Sequence, residues 1–427
     1  MNRHPLVRAP AGDNGGMPLR QRNHDTRPGP REDRFFCPCP RGLEGALAAE
    51  LIDLGIAGPE VVPGGVAFAG RWTDCYRVNL WSRIASRVLW RVGGARYRNE
   101  DDVYRAASAL GWPDWFQVGQ TIRVNVAAVA SPLRSIEFIT LRIKDAVCDR
   151  FRAHCGSRPS VDTASPDVRI HVFLTDREAT FYLDTSGEAL FKRGSRKEVT
   201  EAPLRENLAA GILRLTGWHP GEPLLDPMCG GGTFLAEAAQ IALGLAPGAG
   251  RRFGFEQLSV FEPESWKQAR ADAMSRAAKN GFRPQIFGSD IDPAAIEAAR
   301  ANLRAAGVLD FVTLECADAT LREAPAPSGV LVANPPYGVR IGDRQNLQTL
   351  YPKLGDALKQ RFAGWRAYIF SADLELPRHI RLKASKRTPL FNGPLECRLF
   401  EYRMVSGALR RETRPGPDAE SAPGQAD

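Results

Sequence analysis

The spacing of hydrophobic positions changes between the first and second halves of the chain. In the first half, "GLEGALAAELIDLG", "TDCYRVNLWSRIASRVLWRVG" and "RSIEFITLRIKDAVCDRFRAHCG" have helical spacing, while "GGVAFAG", "TIRVNVAAVAS", "VRIHVFLTD" and "ATFYLDTSG" have strand-like spacing. A period near 3.6 predicts an amphipathic helix, and a period of 2 predicts a strand with one buried face. Residues 35–187 are therefore predicted to form an α+β module.

Strands and helices alternate from residue 205 to residue 405. Buried strands are predicted at "EPLLD", "PQIFGSD", "FVTLECAD", "GVLVAN" and "WRAYIFSAD", most of them separated by helical segments. This alternation predicts a doubly wound parallel sheet covered on both faces. Two β-like runs in "RTPLFNGPLECRLFEYRM" predict antiparallel strands at one edge of that sheet. The expected fold class is α/β, preceded by the α+β module.

The remaining segments are polar and lack hydrophobic periodicity. Residues 1–34 and 406–427 are rich in proline and glycine, so both are predicted to be disordered tails, the first of them mildly basic. Residues 188–204 are predicted to be a basic linker. No apolar run approaches the length of a membrane helix, and the amino terminus does not resemble a secretory signal, so a cytoplasmic protein is expected.

Composition favours a polyanionic partner over the alternative of a basic surface that binds no partner. The 427 residues carry a formal net charge of +8, and clustered lysine and arginine gain affinity for nucleic acid by releasing counterions. The eight cysteines are scattered, which favours reduced thiols. Cys37 and Cys39 form an isolated C-x-C pair, for which buried packing is preferred over metal binding.

Chemistry-bearing residues follow each strand of the second half. In "LLDPMCGGGTFLAEAA", Asp226 ends a strand and a glycine turn opens a helix at Thr233, which suits a ligand but also a purely structural turn. Asp290 ends the next strand and is placed to accept bonds from ribose hydroxyls, unless it serves as the helix N-cap, a role that Asp292 fills equally well. Asp318 follows the third strand, and Asn334 follows the fourth. Because ligands bind beyond the carboxyl ends of such strands, the combination predicts a nucleoside pocket.

These motifs resemble a known family. "DPMCGGGT", "GSDID" and "NPPYG", in this order, resemble class I S-adenosylmethionine-dependent methyltransferases that act on an exocyclic amino nitrogen. "RGLEGALAAEL", "WSRIASR", "IKDAVCDRF", "APLRENLAAGI" and "NGPLEC" resemble the bacterial 23S ribosomal RNA guanine-N2 methyltransferases, which carry an RNA-binding THUMP domain before the catalytic domain. The resemblance implies a Rossmann-like methyltransferase sheet at residues 205–405 and a THUMP-like module at residues 35–187.

The resemblance also implies a cofactor and its contacts. The cofactor is S-adenosyl-L-methionine, no metal is implied, and the expected cofactor-binding residues are Asp226, Met228, Gly230, Gly232, Thr233, Asp290, Ile291 and Asp318. The expected catalytic residues are Asn334, Pro335, Pro336 and Tyr337.

The Asn-Pro-Pro-Tyr turn has a physical rationale. An exocyclic base nitrogen is a poor nucleophile because its lone pair is delocalised into the ring. If the Asn334 side-chain oxygen and the Pro335 carbonyl accept hydrogen bonds from that amine, the lone pair is freed for attack, and the prolines hold both acceptors in place. Tyr337 is placed to stack on a base extruded from its helix.

RNA contacts are expected at the basic linker, where "FKRGSRK" supplies Lys192, Arg193, Arg196 and Lys197, although a solvated charge run explains the pattern equally well. Aromatic residues in "GWPDWFQVG" suit base stacking or a core-anchoring loop.

The expected activity is methylation of guanosine N2 in 23S ribosomal RNA, with RNA as partner, no membrane association and no stable protein partner. Alternatives are guanine-N2 methylation of tRNA, adenine-N6 methylation of DNA, which the same turn also serves, and a non-catalytic RNA-binding ribosome assembly factor.

Overall fold

The computed structural model describes residues 32–194, 204–278, 282–336 and 343–405. Within these ranges the chain forms two seven-stranded sheets. Both sheets belong to a single compact unit that begins at Asp33. No helix in the described part of the chain is long and apolar enough to cross a membrane.

The first sheet is mostly antiparallel and is built from strands with an alternating burial pattern. Its strands are β1 (Asp33–Pro38), β2 (Glu60–Val62), β3 (Gly65–Gly70), β4 (Leu89–Arg96), β5 (Ile122–Ala128), β6 (Val168–Leu174) and β7 (Glu178–Asp184), in the order β2-β3-β1-β4-β7-β6-β5. The helices are α1 (Glu44–Asp53), α2 (Trp72–Trp81), α3 (Glu100–Ser108), α4 (Trp112–Trp115) and α5 (Ile136–Cys155). Only β5 and β6 pair in parallel among these described strands. The predicted α+β module is confirmed.

One predicted helix is wrong in its second half. The helical spacing of "TDCYRVNLWSRIASRVLWRVG" predicts a single helix, but α2 ends at Trp81 and β4 begins at Leu89. The buried carboxylate of Glu50 holds the chain between them, because it accepts hydrogen bonds from the Ser82 hydroxyl (2.6 Å) and the Arg83 amide (2.9 Å). This contact comes from α1, so helical spacing alone cannot reveal it.

The aromatic loop before β5 anchors the core. Trp112 and Phe116 are both fully buried, and the Trp112 indole donates to the carbonyl of Ala107 at 2.7 Å. Of the two interpretations of "GWPDWFQVG", core anchoring is therefore the one the structure supports.

The second sheet combines parallel strands with an antiparallel hairpin. Its elements are α6 (Glu206–Thr216), β8 (Leu224–Asp226), α7 (Thr233–Ala242), α8 (Pro263–Ala278), β9 (Ile286–Asp290), α9 (Pro293–Ala305), β10 (Thr313–Cys316), β11 (Gly329–Ala333), α10 (Asp343–Arg361), β12 (Trp365–Ser371), α11 (Leu376–His379), β13 (Lys386–Asn392) and β14 (Leu395–Arg403). The order is β10-β9-β8-β11-β12-β14-β13, with the first five strands parallel. The doubly wound sheet with antiparallel edge strands is confirmed.

The strand order creates a switch point at β8. The chain proceeds from β8 to β9 on one side, and later places β11 against the other side of β8. Crevices for ligands form at such a point, beyond the carboxyl ends of the strands. Asp226 ends β8 and Asn334 directly follows β11, so both residues lie at this position.

The two sheets share packing contacts. Tyr76 of α2 lies in an aromatic cluster with Phe255 (ring centroids 4.7 Å apart) and Trp266 (6.0 Å), and its hydroxyl accepts from the amide of Glu262 at 2.9 Å. In α6 a Cβ at Gly211 would lie 2.3 Å from a methyl group of Leu43, so a larger residue here would require the Leu43 side chain to move. These contacts fix the first sheet against the elements that carry the second.

Candidate functional site

The glycine turn between β8 and α7 combines an open side with a packed side. Gly230 and Gly232 have φ values of +49° and +80°, in the left-handed region that favours glycine. A Cβ on Gly232 would lie 3.2 Å from the Cβ of Ala299, whereas one on Gly230 would meet no atom within 4 Å. Gly232 thus packs α7 against α9, and Gly230 leaves its backbone open to a ligand.

The Asp290 carboxylate holds this turn against β9. One carboxylate oxygen accepts a bond from the Gly230 amide at 2.9 Å, and the other accepts from the Asp292 amide at 3.1 Å. The N-cap of α9 is Asp292, whose carboxylate accepts from the Ala294 amide at 2.9 Å. Asp290 is therefore not the cap, and it lies half-buried at the end of the sheet.

Asp226 lies deeper, at the end of β8. Its side chain is 2% exposed and accepts a hydrogen bond from the Met228 amide at 3.2 Å. Burial raises the pKa of this carboxyl well above its usual value, the Met228 bond lowers it, and the negative charge of Asp290 raises it further. The second sheet thus carries two carboxyl groups of different environment on adjacent strands.

Two further predicted residues lie at the same edge. Asp318 follows β10, and one oxygen of its carboxylate accepts from both the amide and the hydroxyl of Thr320, each at 2.8 Å. Ile291 presents an apolar side chain that is 69% exposed, directly after Asp290. An exposed apolar side chain beside carboxylates suits a ligand with a flat ring and polar substituents.

The Asn-Pro-Pro turn begins where β11 ends. Asn334 is half-buried, Pro335 is buried and Pro336 is exposed. Tyr337, the fourth predicted residue of this turn, lies outside the described residues.

Tyr351 of α10 holds the Asn-Pro-Pro turn by a hydrogen bond, and sequence reasoning missed this residue. Its hydroxyl donates to the carbonyl of Pro336 at 3.3 Å, and the side chain is 1% exposed. Its ring lies parallel to that of His379, with centroids 6.4 Å apart, and the His379 Nδ1 lies 2.7 Å from a carboxylate oxygen of Asp373. At the end of β12, the strand beside β11, "SAD" was an available signal for Asp373, whereas no local pattern marks Tyr351.

Sequence reasoning also missed a cleft beside Gly231 and Gly232 of the glycine turn. It is lined by Glu206, Gly231, Gly232, Thr233, Glu237, Gln240 and Asn302. The Asn302 amide donates to the Gly231 carbonyl at 3.0 Å, which ties α9 to the turn. Glu206 lies in "APLRENLAAGI", a segment that carries part of the family resemblance, so this motif was an available signal.

The basic linker does not present all its charges to solvent. Lys192 is 63% exposed and pairs with Glu188 at 2.8 Å. The Arg193 side chain is only 4% exposed, and it donates to Glu237 at 3.2 Å. Arg83 donates to the same carboxylate at 3.0 Å, so Arg193 helps to neutralise a buried acid and its side chain does not face solvent. Arg196 and Lys197 lie outside the described residues.

Burial also makes the cysteine beside the site unreactive. Cys229 is 6% exposed, and burial raises the pKa of its thiol. Since the thiolate is the nucleophile, Cys229 is a packing residue. In the part of the chain that the structure describes, no group of three or more histidine, cysteine, aspartate or glutamate residues is arranged to hold a metal ion.

Family models match three consecutive segments. Residues 34–89 match the RlmL ferredoxin-like domain, residues 97–184 the THUMP domain, and residues 193–401 the RMKL-like methyltransferase domain. The solved structure of SMU.472, described as a candidate methyltransferase in complex with SAH, is 31% identical, with a TM-score of 0.80 over 88% of this chain and 99% of that one.

The chain belongs to the RMKL-like, THUMP-containing methyltransferase family. The family resemblance predicted from the motifs is thus confirmed, and the single THUMP-like module of the sequence analysis is matched by two models.

Two further proteins that are similar to this chain carry names that differ from each other. The "Ribosomal RNA large subunit methyltransferase K/L" of Psychromonas ingrahamii is 41% identical over 89% of this chain and 51% of the relative. A Listeria monocytogenes structure named a predicted N6-adenine-specific DNA methylase is 30% identical, with a TM-score of 0.79 over 88% of this chain and 97% of that one. This RMKL-like chain spans about half the length of the curated relatives it matches.

Asp226→Asn is expected to stabilise the RMKL-like fold more at high pH than at low pH. The folded-state pKa of Asp226 lies above the unfolded value of about 3.9, so the wild type loses stability as pH rises from that value through the folded pKa. Asparagine buries no charge and still accepts from the Met228 amide. The Tm gain should be about 1–3 °C larger near pH 8 than near pH 5. An equal gain at both pH values would contradict this assignment.

Proposed function

We propose that this chain transfers a methyl group from S-adenosyl-L-methionine to N2 of a guanosine in 23S ribosomal RNA. The observation that carries the proposal is the neighbourhood of β8 and β11. A glycine turn follows β8, and the carboxyl groups of Asp226 and Asp290 end β8 and β9. An Asn-Pro-Pro turn follows β11, which lies on the other side of β8. A nucleoside pocket and an acceptor for an exocyclic amine thus adjoin at one switch point.

The residues present fit the cofactor. Gly230 leaves its backbone open, as judged from the empty space around a Cβ placed there, and Asp290 offers half-buried carboxylate oxygens for the two ribose hydroxyls. Ile291 offers an exposed apolar surface for the adenine ring, and Asp318 an acceptor for its amine. When bound, S-adenosyl-L-methionine supplies a methyl group already activated by the sulfonium charge. Met228, Gly232 and Thr233 complete the proposed contacts.

The chain's own contribution to the reaction is positioning. The side-chain oxygen of Asn334 and the backbone carbonyl of Pro335 accept the two hydrogens of the guanine amine, which directs its lone pair away from the ring. Proline at 335 and 336 holds both acceptors before the base arrives. Tyr337 is assigned to stacking on the extruded base. The excess proton of the methylated amine is acidic and leaves to solvent, so no strong general base is required.

Several observations support 23S ribosomal RNA as substrate. The matched THUMP model precedes the catalytic domain, the net charge is +8, and the curated relatives are named for the large ribosomal subunit. An enzyme with this substrate works in the cytoplasm. The domain boundaries at residues 35–187, 188–204 and 205–405 are part of the proposal.

The deciding experiment is methyl transfer from labelled S-adenosyl-L-methionine to protein-free 23S rRNA, 16S rRNA and tRNA, followed by nucleoside analysis. N2-methylguanosine in 23S rRNA alone is expected. Label in tRNA would replace the substrate, and N6-methyladenosine in any of the three RNAs would replace the base. Cofactor binding without transfer to any of the three RNAs would favour the non-catalytic assembly factor.

Tyr351→Phe is expected to reduce kcat about 5- to 10-fold without changing KM for either substrate. The change removes the hydroxyl, which bonds the Pro336 carbonyl and also the side chain of Ser371 at the end of β12, and it keeps the ring beside His379. A loosened turn holds the Pro335 carbonyl less well in the transition state, which affects kcat alone.

Tyr402→Phe is the matched control for Tyr351. Tyr402 is 1% exposed in β14, and its hydroxyl has no hydrogen-bond partner among the described residues. Its kcat should stay within about twofold of wild type, because no bond is lost. A similar loss of kcat in both variants would show that Tyr351 acts only through packing.

A further inference from the structure

The first sheet leaves one face to solvent. Along β6, Ile170 and Val172 are buried in the core, whereas His171 is half-buried and Phe173 is exposed. The same alternation occurs in β7, where Phe181 is buried and Tyr182 is half-buried. An antiparallel sheet commonly covers one face with helices and leaves the other wet.

This open face, defined by Arg34, Phe36, Arg91, Arg123, His171 and Tyr182, is continuous across five strands. Cross-strand pairing joins His171 of β6 to Tyr182 of β7, and Tyr182 to Arg91 of β4. Phe36 of β1 pairs with Leu89 of β4, so it lies on the same side as Arg91. Directly paired side chains are about 4.5–5.5 Å apart at Cβ, which makes these residues one surface.

Aromatic rings and arginines alternate on this face. The rings of Phe36 and Tyr182 have centroids 6.1 Å apart and are tilted by 43°. Arg34, Arg91 and Arg123 are all exposed. Arg91 is close enough to Tyr182 that its charge lowers the pKa of the tyrosine, against the larger raising effect of burial.

The acidic side chains of this face lie near its margins, within the described residues. Asp184, the last residue of β7, is buried on the same side as Tyr182, pairs with Arg87, and has a carboxylate oxygen 3.5 Å from the Nε2 of His171. Glu60 pairs with Ala67 on the edge strand β2, and Glu178 pairs with Arg96 at the start of β7. Glu188 lies beyond the end of β7, where it bonds Arg169 at 3.5 Å and Lys192 at 2.8 Å. If the rings of Phe36 and Tyr182 served only to shield the buried Leu89 from water, their presence would be explained. The arginines around these rings, and the position of the acidic side chains at the margins of the face, would not be explained.

We propose that the open face of the first sheet binds a single-stranded segment of the RNA substrate, by base stacking on Phe36 and Tyr182 and phosphate contacts to Arg34, Arg91 and Arg123. Sheet-borne aromatics with flanking cations suit unpaired bases, because a duplex hides the ring faces of its bases. The inference rests on the proposed function, which requires an RNA with an accessible guanine.

One end of the open face lies beside segments that belong to the second half of the chain. Arg169 at this end contacts the linker through Glu188, and Gly187 approaches Gly254 so closely that a Cβ would lie 3.1 Å from its amide. RNA held on the face therefore lies beside the junction from which the methyltransferase domain continues.

The test measures binding of the full chain to a short, labelled, unstructured RNA by fluorescence anisotropy. Arg91→Glu loses a phosphate contact and Tyr182→Ala loses a stacked base, so each variant is expected to raise Kd about 10-fold or more. Tyr182→Phe, which keeps the ring, should bind as wild type. Arg152→Glu is the matched control, since this arginine is 53% exposed on α5 at the helix-covered side of the sheet. It should stay within about twofold of wild type.

The salt dependence gives an independent readout. Loss of one phosphate contact should reduce the slope of log Kd against log salt by about 0.7 for Arg91→Glu. Unchanged affinity of Arg91→Glu and Tyr182→Ala would overturn the proposal, and so would an equal loss in Arg152→Glu. Equal binding of the annealed duplex would also overturn it.

Methyl transfer to 23S rRNA separates this inference from the proposed function. If wild type transfers no methyl group but Arg91→Glu still loses affinity for the labelled RNA, the proposed function fails and the RNA-binding face stands. If wild type methylates 23S rRNA and the variants bind the labelled RNA normally, the proposed function stands and the RNA-binding face fails.

Discussion

Asn334→Ala should reduce kcat for methyl transfer about 100- to 1000-fold, because alanine offers no oxygen to the guanine amine. The amine's lone pair then stays delocalised in the ring, and the Pro335 carbonyl alone cannot orient it. Asn334 follows β11 and stands apart from the Gly230 turn, which follows β8, so affinity for S-adenosyl-L-methionine should change less than about twofold.

Two measurements are needed to interpret this variant. Single-turnover rates with labelled cofactor give the chemical step, and calorimetric titration gives the cofactor Kd. A variant that retains wild-type rates would remove Asn334 from the catalytic set. A variant that loses cofactor binding as well as rate would assign Asn334 to the integrity of the pocket.

Asp290→Ala should raise the Kd for S-adenosyl-L-methionine about 100-fold or more. In the proposed site the carboxylate accepts two charge-assisted bonds from the ribose, each worth about 1.5–3 kcal/mol. The same carboxylate also holds the Gly230 amide at 2.9 Å, so its loss loosens the glycine turn. Equilibrium binding of labelled cofactor measures the effect directly.

Asp292→Asn is the matched control for Asp290. Asp292 lies two residues away and caps α9 through the Ala294 amide at 2.9 Å. Asparagine is an equally good N-cap, so the helix and the cofactor Kd should both be preserved. Equal loss of affinity in the two variants would show that charge near the turn matters and that a specific ribose contact does not. Wild-type affinity in Asp290→Ala would exclude the ribose role.

Much of the proposed catalytic site follows from the sequence because parallel strands leave little freedom. Each buried strand of the second half is recognisable from its own residues, and all parallel strands of a sheet point their carboxyl ends to one edge. Asp226, Asp290 and Asn334 each come directly after a strand or end it, so their convergence could be predicted before the fold was known. The cap of α9 was also readable, since Pro293 follows Asp292.

Long-range contacts decided what local patterns could not. The end of α2 depends on Glu50 of α1, and the burial of Arg193 depends on Glu237 of α7, so spacing and charge alone predicted a longer helix and an exposed cation. Tyr351 was invisible for the same reason, because its bond to Pro336 joins a helix to the end of a strand.

The sequence by itself determined the class of fold, the family and the edge of the sheet where chemistry gathers, since these depend on periodicity and on the residues that follow each strand. Only the tertiary structure decided which side of each strand faces solvent and which strands lie next to each other. The open face of the first sheet needs Phe36, Arg91 and Tyr182 from three strands to meet, and their pairing is set by contacts between distant segments of the chain.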